Sequence, residues 1–196
     1  IVWNGTGSVD VAPNSKLSLY GNLYGPDFTS QGAVATLSGD LNLPAGATFS
    51  STNSSLTYTA SPSKSLDLGG ALVVNAGITD FDFRALTSST SIGAINLIDG
   101  TLNLRSAATS SAGGSSSGVS IASYQQSGGT LSGSGALGIF GFFERTGGAI
   151  APQAFSSLSI AQASGDLTPG PLSVAGPIEL GARSEEHTSE LQSRQY

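Results

Sequence analysis

The sequence predicts an all-β chain organised as a parallel β-solenoid, and three observations lead there. Short phrases of the form Gly-x-Leu-x-apolar recur along the chain. No long segment carries the i, i+3, i+4, i+7 apolar stripe of an amphipathic helix. Charged residues are only 10% of the 196 positions, against 38% apolar residues and 27 glycines, and Ser plus Thr make up about a quarter. Disordered chains of low hydrophobicity carry more charge, so this balance points to many short strands and many turns.

The phrases occupy residues 39–43 (GDLNL), 70–74 (GALVV), 100–104 (GTLNL), 135–139 (GALGI) and 170–174 (GPLSV). Their starts lie 31, 30, 35 and 35 residues apart, a loose repeat with insertions. Similar phrases fall between them at residues 16–19, 65–68, 93–97 and 157–160. Each alternates apolar with small polar residues, so an extended backbone points Leu, Ile or Val inward and Ser, Asn or Asp outward. Such a strand cannot bury its apolar face alone. Stacked on its neighbours at about 4.8 Å it builds a continuous ladder. Gly, Asn, Asp and Pro at the phrase ends supply the corners. The alternative fold is a β-sandwich, which favours two-residue hairpin turns such as Asn-Gly; only Asn4 and Gly5 qualify.

The formal net charge is −6 and no basic cluster occurs. Nucleic acid, which is held by clustered Lys and Arg, is excluded as a partner on this basis. The most apolar stretch, residues 135–143, is too short and too rich in Gly to cross a bilayer as a helix. With no cysteine there is no disulfide framework and no thiolate chemistry.

The last fourteen residues, 183–196 (RSEEHTSELQSRQY), break the compositional pattern. One reading is an amphipathic helix with a metal-binding His187. The stretch also resembles a translated sequencing adapter, and the expectation is therefore a non-native tail and a natural C-terminus lost where it begins. The chain starts at Ile1 and contains no methionine, so it is expected to begin in mid-gene. Setting aside the tail's three acidic and two basic residues leaves residues 1–182 as the solenoid region, with a net charge of −5 and no His. Within it, residues 106–118 (SAATSSAGGSSSG) are expected to form an exposed Ser/Gly loop.

Residues 127–152 (SGGTLSGSGALGIFGFFERTGGAIAP) bring a family into view. Gly128, Gly129, Thr130 and Leu131, then Gly133, Ser134 and Gly135, then Thr146, Gly147, Gly148, Ala149 and Ile150 follow one grammar. This grammar resembles the repeats of bacterial autotransporter passengers and filamentous-haemagglutinin-like β-strand-repeat proteins. Residues 13–19 (PNSKLSL) are similar in a weaker way. The likeness covers about a third of the chain closely and the rest in style. The resemblance implies a right-handed parallel β-helix from an extracellular or bacterial cell-surface protein. It also implies an adhesin or structural stalk without enzyme activity or cofactor. The implied partners are glycans or matrix surfaces and the neighbouring coils of the same rod.

Candidate chemistry is sparse. If residues 80–84 (DFDFR) are extended, Asp80, Asp82 and Arg84 share one face, with carboxylates about 7 Å apart, and Phe81 and Phe83 face the core. Paired carboxylates serve glycoside chemistry or bind calcium; the plainer expectation is a solvated face with Arg84 neutralising the two charges. The competing function, a polysaccharide lyase or glycosidase, requires these residues to share a cleft with another charge such as Asp99, Arg105 or Lys64. Tyr20, Tyr24 and Phe28 form a second candidate, either stacking on sugar rings or capping the core. Residues 133–138 formally match GxGxxG, but a dinucleotide site needs a helix next. Residues 114–118 match GxSxG without a His base outside the tail. Glu144 and Arg145 are expected as an exposed turn pair. The Asn4 and Asn53 sequons matter only in a eukaryotic secretory pathway.

Overall fold

The structure, a computed structural model, describes residues 2–4, 8–20, 22–24, 27–61, 66–86, 90–106, 118–151, 157–160 and 178–180. Residues 107–117 of the expected loop and the whole of the 183–196 tail, with His187, lie outside the described residues. Every regular element described is a strand. In chain order they are β1 (Val2–Asn4), β2 (Val9–Val11), β3 (Lys16–Tyr20), β4 (Asn22–Tyr24), β5 (Phe28–Gln31), β6 (Val34–Ser38), β7 (Leu41–Asn42) and β8 (Thr48–Thr59). They continue as β9 (Leu66–Asp82), β10 (Thr90–Leu97), β11 (Thr101–Arg105), β12 (Val119–Gln126), β13 (Thr130–Ser134), β14 (Ala136–Arg145), β15 (Ala149–Ile150), β16 (Ser157–Ile160) and β17 (Ile178–Leu180). No helix among the described residues is long and apolar enough to cross a membrane.

All described strand pairings are parallel, and each joins one pass of the chain to the next. The antiparallel sandwich is therefore not the architecture. The registers trace three ladders. In the first, Leu68, Ile92, Ile121 and Ile139 follow one another. In the second, Val9 leads to Phe28, Phe49, Leu72, Ile95, Tyr124 and Phe143. In the third, Leu19 leads to Leu37, Tyr58, Phe81, Leu104 and Gly133.

These inward positions form one hydrophobic core. Because parallel in-register strands put like above like, aromatic rings meet down the ladder. Phe28 stacks on Phe49 at 4.5 Å, and Tyr124 stacks on Phe143 at 5.5 Å. Phe49 of the second ladder also meets Phe81 of the third edge-on at 5.5 Å. Leu43, Leu68 and Ile92 of the first ladder, Phe49 and Leu72 of the second and Phe81 of the third line a single small apolar void. Each fully buried Leu, Ile or Phe stabilises the stack by about 1.5–3 kcal/mol.

The period of the stack differs from the period expected. Consecutive residues of the second ladder are 19 positions apart from Val9 to Phe28 and 29 apart from Ile95 to Tyr124. The Gly-x-Leu phrases at residues 39–43, 70–74, 100–104 and 135–139 recur at 30–35 because each marks a strand and not a pass; the fifth, at 170–174, lies outside the described residues. Leu41 lies on the first ladder, Leu72 on the second, Leu102 on the third and Leu137 on the first again. The longest step spans residues 106–118, and pairing resumes beyond them in register, Thr90 beside Val119 and Ile92 beside Ile121. An insertion there leaves the ladder intact.

The corner between the second and third ladders is a second stacked feature. Asn14, Gly32 and Asn53 in the earlier passes have positive φ, as do both Ala76 and Gly77 in the next pass and Gly100, Gly129 and Gly148 in the later ones. The left-handed bend is thus repeated rung on rung, with Asn or Gly at most rungs because they tolerate it best. A Cβ on Gly100 or Gly129 would come within 2.6 Å of the carbonyl oxygen of Gly77 or Gly100 respectively. Alanine at Gly129 is therefore expected to cost about 1–3 kcal/mol through strain and the forced shift. Ile95→Ala in the second ladder should cost about 2–5 kcal/mol, and the outward Ser120→Ala almost nothing. Urea denaturation of the whole chain checks the order; a Gly129→Ala variant as stable as Ser120→Ala would contradict the stacked corner.

Candidate functional site

The candidate site is the outer side of the third ladder. Alternation along β9 buries Phe81, with Phe83 just beyond the strand, and turns Asp80 and Asp82 outward, as expected. Arg84 does not continue that face. The strand ends at Asp82, and Arg84 lies in the turn that follows. Its guanidinium folds back to donate from Nε and Nη2 to the two Asp82 oxygens at 2.9 and 2.6 Å. Asp80 takes a different partner: Arg105 of β11 donates from Nη2 to Asp80 Oδ2 at 2.5 Å. Two ion pairs therefore cover the two carboxylates.

Their environments differ. Asp80 is pushed above the ordinary carboxylate range by burial, which outweighs the opposing pull of Arg105, and the nearby Asp82 charge adds to the rise. Its Oδ1 is buried and has no hydrogen-bond partner among the described residues. Asp82 is held below the ordinary range chiefly by the Arg84 side-chain hydrogen bonds, with partial burial opposing. Among the described residues no group of three or more His, Cys, Asp or Glu could hold a metal ion. Of the further charges that an enzyme cleft required, Arg105 joins the aspartates. Asp99 caps its own turn by accepting from the Gly100 amide at 2.7 Å, and Lys64 lies outside the described residues.

The tyrosines separate. Phe28 is fully buried in the second ladder. Tyr24 belongs to the first ladder and donates its hydroxyl to Asp40 Oδ2 at 2.6 Å. Tyr20 stands outward at the end of β3, 68% exposed. Strand register then makes a connection that sequence spacing hides: Tyr20, Ser38, Thr59, Asp82 and Arg105 are successive rungs of one outward column. Beside it runs a second column of Ser18, Thr36, Thr57, Asp80, Asn103 and Ser132. The two candidates inferred separately, around Tyr20 and around Asp80, share one face.

Arg145 requires a correction. It is not in an exposed turn with Glu144 but is the last residue of β14, 7% exposed, while Glu144 faces outward and accepts from Gln125 Nε2 at 3.0 Å. Arg145 follows Val74, Leu97 and Gln126 in an inward column of the second ladder. Its Nη2 donates to the Gly148 carbonyl at 2.6 Å. Gln126 donates from Nε2 to the carbonyls of Gly128, Gly129 and Ala149 at 3.0–3.2 Å and accepts the Tyr124 hydroxyl at 3.0 Å. Burial pushes that hydroxyl's pKa well up, with Arg145 opposing. The alternation of Tyr124 with Gln126 and of Phe143 with Arg145 was the available signal, and it outranks the polarity of the side chains. The GxGxxG match joins β13 to β14, so a strand follows it.

The two aspartates carry opposite pH signatures. Stability from Asp82 is present above the ordinary value of 3.8 and is lost as pH falls through its lowered value. Stability from Asp80 is present below 3.8 and is lost as pH rises through its raised value. Asp82→Asn should therefore lower the melting temperature slightly at about pH 6, with the gap closing as pH falls through the ordinary carboxylate value of 3.8 and below. Asp80→Asn should gain on the native chain as pH rises over the same range. Thermal melts across pH check this, and parallel behaviour of the two variants would contradict it.

No protein-family model matches the chain, and neither a curated protein nor a solved structure matches it.

Proposed function

We propose that the chain is a segment of a right-handed parallel β-helix that serves as a stalk or adhesive rod of an exported bacterial surface protein. The observation that carries this reading is the column of inward residues that runs from one pass of the chain to the next without interruption, Val9 through Phe143 in the second ladder. Side chains from all three ladders around one void suit a closed coil, and the Gly-rich repeat grammar agrees with surface β-strand-repeat proteins. In this reading the work is mechanical. Every strand is bonded to the next along the stack axis, so the rod resists bending and displays its outer faces at a distance from the cell. Small hydroxylated residues on those faces suit hydrated contact with matrix or glycan.

The rival reading, a polysaccharide lyase or glycosidase centred on Asp80 and Asp82, needs a carboxylate free to take or give a proton. The Arg105 and Arg84 contacts weigh against it, since each carboxylate is engaged by a guanidinium.

One experiment separates the two. Displayed on a bacterial surface through a carrier barrel, the chain should raise attachment to polysaccharide- or matrix-coated glass severalfold over carrier alone, with no new reducing or unsaturated ends released. Attachment equal to the carrier contradicts the adhesive rod. Release of cut polysaccharide, abolished by Asp80→Asn or Asp82→Asn, would establish the enzyme in its place.

A further inference from the structure

We infer that two neighbouring outward columns of the third ladder, those of Tyr20 and Ser18, form a linear binding strip for a neutral, unbranched polysaccharide lying along the stack axis, with Tyr20 as its stacking platform. The inference rests on the reading of the chain as a surface rod. Its direct support is geometric: Tyr20, Ser38, Thr59, Asp82 and Arg105 occupy consecutive rungs of one column.

The chemistry along that column is ordered. Tyr20 is the most exposed of the large hydrophobic side chains on the described surface, at 68%. A ring in that position offers an apolar face for the C–H side of a pyranose, with its hydroxyl free to stay in water. The following rungs, Ser38 and Thr59 with Thr36 and Thr57 beside them, present short hydroxyls with small conformational cost on binding. Rungs repeat at about 4.8 Å, close to the length of one sugar ring, so successive sugars meet equivalent positions. Beyond them, Asp82 with Arg84 supplies an acceptor and donor side by side, the arrangement that a vicinal diol satisfies by donating to the carboxylate and accepting from the guanidinium. Arg84 remains 57% exposed while it holds Asp82, which leaves guanidinium N–H groups facing solvent.

Charge selects the class of glycan. Asp80 with Arg105 and Asp82 with Arg84 cancel locally. The chain as a whole is acidic at −6 and offers no basic cluster to hold a polyanion. A neutral chain avoids that repulsion and uses every group in the strip. Other outward columns lack an exposed aromatic platform. One on the second ladder runs from Asp10 and Thr29 through Ser50 and Val73 to Glu144, and one on the third runs from Lys16 and Val34 through Ser55 and Ile78 to Thr101, both without an aromatic rung. The column Thr48, Ala71, Ala94, Ser123 and Phe142 ends on a ring that is only partly exposed.

Affinity electrophoresis of the full chain tests the strip, with hydroxyethylcellulose as the neutral polysaccharide and alginate as the anionic one. The native chain is expected to be retarded by hydroxyethylcellulose and not by alginate. Tyr20→Ala should weaken the retardation about tenfold, the scale of one lost stacking contact with its buried area. Asp82→Asn should weaken it in the same direction, and Gln125→Ala on the second ladder should leave it unchanged. Circular dichroism and melting temperature confirm that each variant keeps its strands. No retardation of a folded native chain, preference for alginate, or equal effects of Tyr20→Ala and Gln125→Ala would each overturn the inference. A chain that promotes surface attachment yet fails the gel assay would retain the rod and lose the strip.

Discussion

Everything in this molecule depends on parallel strands stacked in register. In that arrangement a residue lies directly above its counterpart in the previous pass, so whatever occupies one rung must be compatible with the next. Inward positions become columns of Leu, Ile, Val and aromatic rings, such as Phe28 on Phe49. Corner positions become columns of residues that accept positive φ, such as Gly100 below Gly129. Outward positions become columns too, and there the constraint turns into an opportunity, because a chemical pattern repeated along the axis is a surface for an extended ligand.

The polar interior shows how the same rule handles an exception. Gln126 and Arg145 occupy rungs of a column that is apolar at Val74 and Leu97. Burying such groups is costly unless they are hydrogen-bonded. Both reach the carbonyls of the Gly-rich corner, where the absence of Cβ atoms leaves room for a side chain to approach the backbone. The glycines and the buried polar groups in this part of the stack are therefore coupled: each makes the other tolerable.

Much of the fold was legible from the sequence because alternation is local. Phe81 and Phe83 inward with Asp80 and Asp82 outward follows from a period of two, and so do the inward Leu41, Leu72, Leu102 and Leu137 of the repeated phrases. What alternation cannot give is register, which depends on how many residues each pass uses. The Gly-x-Leu phrases misled on that point, since they mark strands on all three ladders and their spacing mixes the length of a pass with a change of ladder. The site suffered most. Tyr20 and Asp82 are far apart in sequence and come into line only through the pairings at Ser38 and Thr59. Arg105 reached Asp80 by the same route, while Arg84, adjacent in sequence, served Asp82 from a turn. Arg145 was misplaced for the opposite reason: its charge was given more weight than the alternation that sets its direction.

The outward column is the claim on which the account turns, and the absence of cysteine makes it directly measurable. Cysteines introduced at Ser38 and Thr59, a register pair, lie at a separation that a disulfide spans, whereas Ser38 with Thr57 adds two residues of strand rise and exceeds about 7 Å. Mild oxidation of the two double variants should close a disulfide rapidly and almost completely in the first and scarcely at all in the second. Efficient closure of the Ser38–Thr57 pair, or failure of the Ser38–Thr59 pair in a folded chain, would contradict the register and with it the alignment of Tyr20 with Asp82.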